Sequence, residues 1–112
     1  MKILTIVLAL TFSAGAAASS TYTKNELNSM AASGHYPEQE ATGVRSSEYL
    51  SFGDCKSSAY GVYIQVADNY PAEIIVDTTV MYVIKVWTND GAIIVSCSRS
   101  DSKKIITQSA YK

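Results

Sequence analysis

The side chains that could do chemistry in this 112-residue chain are few and widely spaced. The single histidine, His35, precedes Tyr36 and Pro37, and a lone loop histidine is more often solvated or packed than a general base. No G-x-S-x-G turn, calcium loop or glycine-rich phosphate loop occurs. Carboxylates stand singly along the chain: Asp54, Asp68, Glu73, Asp77, Asp90 and Asp101. We expect no catalytic residues, no metal site and no cofactor; a small hydrolase using His35 is the weakest alternative.

Two cysteines, Cys55 and Cys97, are the remaining reactive side chains. In an exported chain such a pair forms a disulfide, which here would close a loop of about 43 residues and stabilise the fold by roughly 4 kcal/mol. The alternative is two separate reactive or metal-binding thiols, but no C-x-x-C spacing or histidine cluster accompanies them. The pattern favours one intramolecular disulfide.

The first eighteen residues have the composition of a secretory signal. Lys2 precedes an apolar run over residues 3–12, which is too short to span a bilayer. Ala16 and Ala18 then give the small-x-small pattern of a cleavage site, and no lipid-acceptor cysteine follows. We predict a signal peptide over residues 1–18 and a periplasmic or secreted, soluble domain over residues 19–112, without a stable membrane anchor.

Composition limits what that domain binds. About 94 residues suffice for one small domain. Without Lys2 the chain has eight basic and ten acidic residues, and the only basic run is Lys103-Lys104. Nucleic-acid binding needs a positive surface, so nucleic acid is excluded as an expected partner.

A short helix is predicted near the start of this domain. Thr23 and Glu26 form a capping box, in which each side chain accepts from the other residue's backbone amide. Leu27 and Met30 recur at helical spacing, and a glycine follows as a stop signal. The helix is expected from Lys24 to about Ser33.

A longer helix is predicted in the middle of the chain. Its apolar residues recur at steps of three and four: Phe52, Cys55, Ala59, Val62 and Val66. Ser51 and Asp54 give a second capping-box start, and Pro71 marks the end. A strand is the alternative, because β-branched and aromatic residues are frequent here, but it would leave Cys55 off the apolar face.

Four β-branched runs follow, over residues 74–76, 81–87, 92–97 and 104–107. The turn signals between them, including Asp90-Gly91, predict a four-stranded antiparallel meander. The expected fold is therefore α+β: a short helix, a long helix packed on one face of the meander, and one helix-to-sheet disulfide. Residues 35–47 are expected to form a connecting loop, or to include a short strand around Thr42–Val44.

Strand alternation assigns the two faces of this meander. A two-residue turn at Asn89-Asp90 or Asp90-Gly91 places two sets of side chains together, Tyr82, Ile84 and Val86 with Ile93, Val95 and Cys97. Cys97 must face the helix to reach Cys55, so this is the predicted core face. A three-residue turn after Asp77 would add Ile74 and Val76 to the core and set Glu73 opposite Lys85.

The opposite face is the candidate binding surface. It presents an apolar strip with one lysine: Met81, Val83, Lys85, Trp87 and Ile94. An exposed strip that contains Trp and Met is typical of a surface for another protein or for self-association, and it requires an accessible Trp87. The alternative is internal cover, by the first helix through Leu27 and Met30 or by the loop over residues 35–47.

Two resemblances bear on function. The segment Ile75–Gly91 with Ser96-Cys97 resembles a group of small exported bacterial proteins to which no activity is assigned. The order short helix, long helix, meander resembles the beta-lactamase-inhibitor-protein domain and related small outer-membrane assembly lipoproteins. This resemblance implies a binding domain that uses its sheet face, such as an inhibitor or an envelope accessory factor, or else a structural or stress-related envelope homodimer. The lipid-acceptor cysteine of those lipoproteins is missing here.

Overall fold

Two helices and five strands form the part of the chain that the computed structural model describes, residues 20–112. The predicted signal segment, Met1–Ala18, lies outside that range. The elements are, in chain order, α1 (Lys24–Ser33), β1 (Gly43–Tyr49), α2 (Phe52–Ala67), β2 (Ala72–Asp77), β3 (Met81–Thr88), β4 (Gly91–Ser98) and β5 (Lys103–Ala110). The α+β class is confirmed, but the sheet has five strands and not four.

Both helices begin and end where the sequence predicts. The Thr23 hydroxyl accepts from the Glu26 amide, and the Glu26 carboxylate accepts from the Thr23 amide, so the capping box of α1 is complete. Gly34 ends α1 in the left-handed conformation, at a φ of 79°. At α2 the Ser51 hydroxyl accepts from the Asp54 amide, which satisfies one of the free N–H groups of the first turn. The return bond from the Ser51 amide to the Asp54 carboxylate is missing among the described residues, so the predicted second capping box is only half formed.

The fifth strand is β1, in a region that was expected to be largely a connecting loop. It runs to Tyr49 and pairs antiparallel with β5, from Gly43 opposite Gln108 to Tyr49 opposite Lys103. All seven of its residues are exposed, because β1 is an edge strand that α2 does not cover. No alternating burial pattern therefore marks this strand in the sequence.

The strand order is β1-β5-β4-β3-β2, and every neighbouring pair is antiparallel. The strands β1 and β2 consequently run in the same direction at opposite edges of the sheet. Helix α2 connects these two edges and packs mainly on β2, β3 and β4. None of the helices among residues 20–112 has the length and apolar character needed to cross a membrane.

The core between α2 and the sheet has the predicted composition on β3 and β4. Its buried members are Phe52, Cys55, Ala59, Tyr82, Ile84, Val86, Val95 and Cys97. The predicted turn between β3 and β4 contains Asn89 and Asp90, so Tyr82 lies opposite Cys97 and Val86 opposite Ile93. The disulfide between Cys55 and Cys97 is present and joins the first turn of α2 to the end of β4.

Strand β2 departs from the prediction at two residues. The predicted pairing of Glu73 with Lys85 is confirmed, and Ile74 lies opposite Ile84 on the helix side. The expected core position of Ile74 is nevertheless wrong, because 39% of its surface is exposed at this edge of the sheet. A β-bulge at Ile75 then shifts the register, so that Val76 pairs with Val83, which belongs to the face away from α2. The expected core position of Val76 is therefore also wrong, because an extra residue reverses the alternation of a strand.

Candidate functional site

The sheet face that points away from α2, called here the outer face, consists of rows of paired residues. One row contains Trp87, Ala92 and Ser109; the next contains Glu73, Lys85, Ile94, Thr107 and Val44. A third row contains Val76, Val83, Ser96, Ile105 and Ser47, and the last contains Met81, Ser98, Lys103 and Tyr49. The outer face thus contains all five residues of the predicted binding surface: Met81, Val83, Lys85, Trp87 and Ile94.

Trp87 is covered. Only 3% of its surface is exposed, and it packs in a cluster with Leu27 of α1, Ala92 and Tyr111. The Tyr36 ring stacks on the indole, with 4.1 Å between ring centroids. The accessibility expected of Trp87 in a binding face is therefore wrong. Both proposed covers are present, since α1 and the segment that follows it each contact this end of the sheet.

Lys85 is also partly buried, beneath the segment after α1. Its Nζ atom donates to the Gln39 side-chain oxygen at 3.3 Å and lies 4.9 Å from the Trp87 ring centroid. Burial lowers the pKa of Lys85, and the opposite charge of Glu73 works against that shift. Glu73 in turn accepts a hydrogen bond of 3.0 Å from the Tyr36 hydroxyl. Two side-chain hydrogen bonds, from Lys85 to Gln39 and from Tyr36 to Glu73, thus join polar groups at this end.

The rest of the outer face is open. Apart from Val44 and Tyr49 on the edge strand β1, the exposed and partly exposed apolar side chains there, called here the open strip, are Val76, Met81, Val83, Ile94 and Ile105. Met81 is the most accessible, with 37% of its surface exposed. Three of the five predicted residues, Met81, Val83 and Ile94, belong to the open strip, whereas Trp87 and Lys85 lie in the covered region.

Sequence reasoning missed two members of the open strip. Val76 reaches the outer face only because of the bulge at Ile75, and no residue type in β2 indicates a bulge. The position of Ile105, in contrast, could have been predicted from the length of the turn before β5. Four residues connect β4 to β5, an even number that keeps the alternation in phase, so Ile105 falls opposite Ser96. Extending the turn argument by one strand would have placed it on the outer face.

The candidate catalytic histidine stands apart from these surfaces. His35 is exposed just after α1, and its Nδ1 atom lies 2.9 Å from the Ser33 carbonyl oxygen. A carbonyl oxygen only accepts, so Nδ1 carries the proton. Among residues 20–112 no carboxylate lies within ion-pair distance of the ring, and no three His, Cys, Asp or Glu side chains gather as metal ligands.

No protein-family model, curated protein or solved structure matches this chain. Function is therefore inferred from the side chains of the described residues and from their surroundings.

Proposed function

We propose that this chain is an exported protein-binding module that docks a partner protein on the open strip. The supporting observation is the incomplete cover of the outer face: α1 and the segment after it bury the Trp87 row and leave the open strip to solvent. Neighbouring apolar side chains on an uncovered part of a sheet suit the core of a protein interface. The resemblance to beta-lactamase-inhibitor-protein domains belongs to the same proposal, because it implies use of a sheet face.

Binding is proposed in preference to catalysis for a chemical reason. At the covered end of the outer face, Lys85 and Ser109 already share the Gln39 side-chain oxygen as a hydrogen-bond partner. A catalytic group needs a free proton donor or acceptor that faces a substrate. The open strip supplies none, and its members are apolar. What it supplies is surface that gains free energy when a partner removes it from water.

The test compares charged substitutions inside and outside the open strip. Met81→Lys and Ile94→Lys place a charge within the proposed interface, and Ile64→Lys is the matched control. Ile64 lies on α2, on the other side of the molecule, and 46% of its surface is exposed. Tagged protein is cross-linked in an extract of the native compartment, the captured partner is identified, and its affinity for each variant is measured with purified components.

We expect both strip variants to weaken that affinity at least tenfold, and the control to retain it. Amide hydrogen exchange should show protection by the partner on β3, β4 and β5 and not on α2. Equal binding by all three variants would contradict the proposal. If the captured partner is a second copy of this chain and the strip variants separate it, the envelope homodimer takes the place of the binding module.

Export is tested separately. Intact-mass measurement of protein recovered from the culture medium or the periplasm should give a chain that begins within two residues of Ser19 and has no lipid. Recovery of a chain that retains Met1–Ala18 would contradict the export part of the proposal and leave the docking surface as a distinct question.

A further inference from the structure

A groove lies on the helix side of the sheet, opposite the face discussed so far. A helix is about 10 Å across, whereas five strands at about 4.8 Å spacing make a sheet nearly twice as wide. Helix α2 packs mainly on β2, β3 and β4, so the helix side of β1 is left without cover and that of β5 is only partly covered. The resulting groove has a volume of about 410 Å³ and is lined by Val62, Ile93, Val95, Ile106, Arg45 and Ser46.

The groove has the two parts of a small-ligand site, an apolar floor and a polar rim. Val62 from α2 and three residues of β4 and β5 supply four aliphatic side chains. Ligand sites in proteins are clefts of roughly 300–1,000 Å³ with mostly apolar walls and a few placed polar groups. The volume of this groove falls in that range, and its lining has the same mostly apolar character.

The charged group at the rim lies at a β-bulge in β1. The register shifts between Val44 and Ser46, which pair with Thr107 and Ile106, so Arg45 is the extra residue of the strand. Arg45 and Ser46 both line the groove, although neighbours in a regular strand point to opposite faces. The bulge therefore brings two successive polar side chains to the groove, and bulges recur next to functional sites.

The charge of Arg45 is oriented but not neutralised. Its Nη1 atom donates to the Gln108 side-chain oxygen at 2.8 Å, and an amide is a neutral partner. The other cation on this part of the sheet, Lys104, is already engaged by Ser58 at 3.1 Å and by Glu48 at 3.9 Å. Among the described residues no carboxylate forms an ion pair with Arg45.

We propose that this groove binds a single-chain amphiphile with a carboxylate head group. The alkyl chain lies along Ile93, Val95, Ile106 and Val62, and the carboxylate accepts charge-assisted hydrogen bonds from Arg45. The charge at one end and the aliphatic floor beside it are complementary to the two ends of such a molecule. The site is independent of the open strip, which is on the other face of the sheet.

The test uses decanoate and decanol, which share an alkyl chain and differ in charge. Binding is measured by titration calorimetry and by amide shifts in nuclear magnetic resonance, below the micelle concentration at pH 7, on protein purified from cells that express the full chain. We expect saturable binding of decanoate, with shifts on β4, β5 and α2. Decanol should bind about tenfold more weakly, because it lacks the ionic contact.

Two variants assign the contacts. Arg45→Gln should reduce decanoate affinity about tenfold and leave decanol affinity unchanged. Its control is Arg99→Gln, which removes the same charge from the chain's only other arginine, near Phe52. Val62→Phe fills the groove and should abolish the binding of both ligands.

Three results would overturn the proposal: no saturable binding of decanoate, equal loss of affinity in the two arginine variants, or ligand-induced shifts confined to the outer face. The last result would indicate that the amphiphile uses the open strip. Failure of partner binding in the Met81→Lys and Ile94→Lys experiment has no bearing on this outcome, so the two proposals fail separately.

Discussion

Replacement of Trp87 by alanine is the sharpest test of how the outer face is covered. The indole is almost fully buried, stacks on Tyr36 at 4.1 Å and contacts Leu27 and Tyr111 in one cluster. Truncation of a buried aromatic side chain costs about 3–5 kcal/mol, which includes the lost ring stacking. A domain of this size has a total stability of only about 5–15 kcal/mol. The variant should therefore lose a large fraction of the total stability.

The assay is urea unfolding followed by far-ultraviolet circular dichroism, since Trp87 is the only tryptophan and its fluorescence disappears with it. The matched control is Tyr49→Ala. Tyr49 is an aromatic residue with 78% of its surface exposed, so its loss should change stability by about 0.5 kcal/mol or less.

A second substitution refines the magnitude. The Trp87 Nε1 atom is buried and has no hydrogen-bond partner among residues 20–112, which costs about 1–3 kcal/mol in the folded state. Trp87→Phe keeps a ring against Tyr36 and removes that donor. It should therefore destabilise the fold far less than the alanine variant. If Trp87→Ala lowered stability by less than about 1 kcal/mol, the cover of this row by α1 and Tyr36 would be refuted.

Three further predictions concern other parts of the fold. Replacement of Cys55 and Cys97 by serine should lower the free energy of unfolding by about 2–5 kcal/mol, measured by urea unfolding against the oxidised parent. Gly91→Ala should destabilise the fold by about 1–3 kcal/mol, because the added Cβ meets the backbone of β5. Gly61→Ala, in open space within α2, should stabilise the fold by about 0.5–1 kcal/mol. The melting temperatures of the two variants should therefore shift in opposite directions. Burial raises the pKa of Tyr111, so the folded chain keeps a proton that the unfolded chain loses above pH 10. The free energy of unfolding should therefore fall above pH 10, by up to about 1.4 kcal/mol per pH unit. Unfolding titrations between pH 9 and pH 11 should show a shallower fall in Tyr111→Phe, and an unchanged slope would contradict this cause.

The sequence was most informative where a local rule applies. Thr23 with Glu26, and Ser51 at the second helix, mark helix starts through hydrogen bonds between near neighbours. The two-residue turn before Gly91 sets strand alternation by counting alone, and the disulfide then selects the core face. These features depend on residues that are adjacent in sequence or on a single covalent pair.

The features that escaped prediction depend on distant partners. Strand β1 is fully exposed, so nothing in its own residues distinguishes it from a loop until β5 pairs with it. The bulges at Arg45 and Ile75 decide which side chains reach the groove and the open strip, and a bulge shows only in the register between two strands. The fate of Trp87 was likewise set by tertiary packing, since Tyr36 lies fifty-one residues earlier in the chain.

The pairing of β1 with β5 has a consequence for how the chain acquires its structure. These strands are the first and last of the sheet in chain order, and backbone hydrogen bonds from Glu40 to Ala110 and from Lys112 to Glu38 join the same two regions. A chain that emerges from its N-terminal side, from a ribosome or through a translocation channel, therefore has no native partner for β1 until β5 has followed. Closing so long a loop makes folding slow compared with that of helical domains. The pairing of β1 can then form only as a late step.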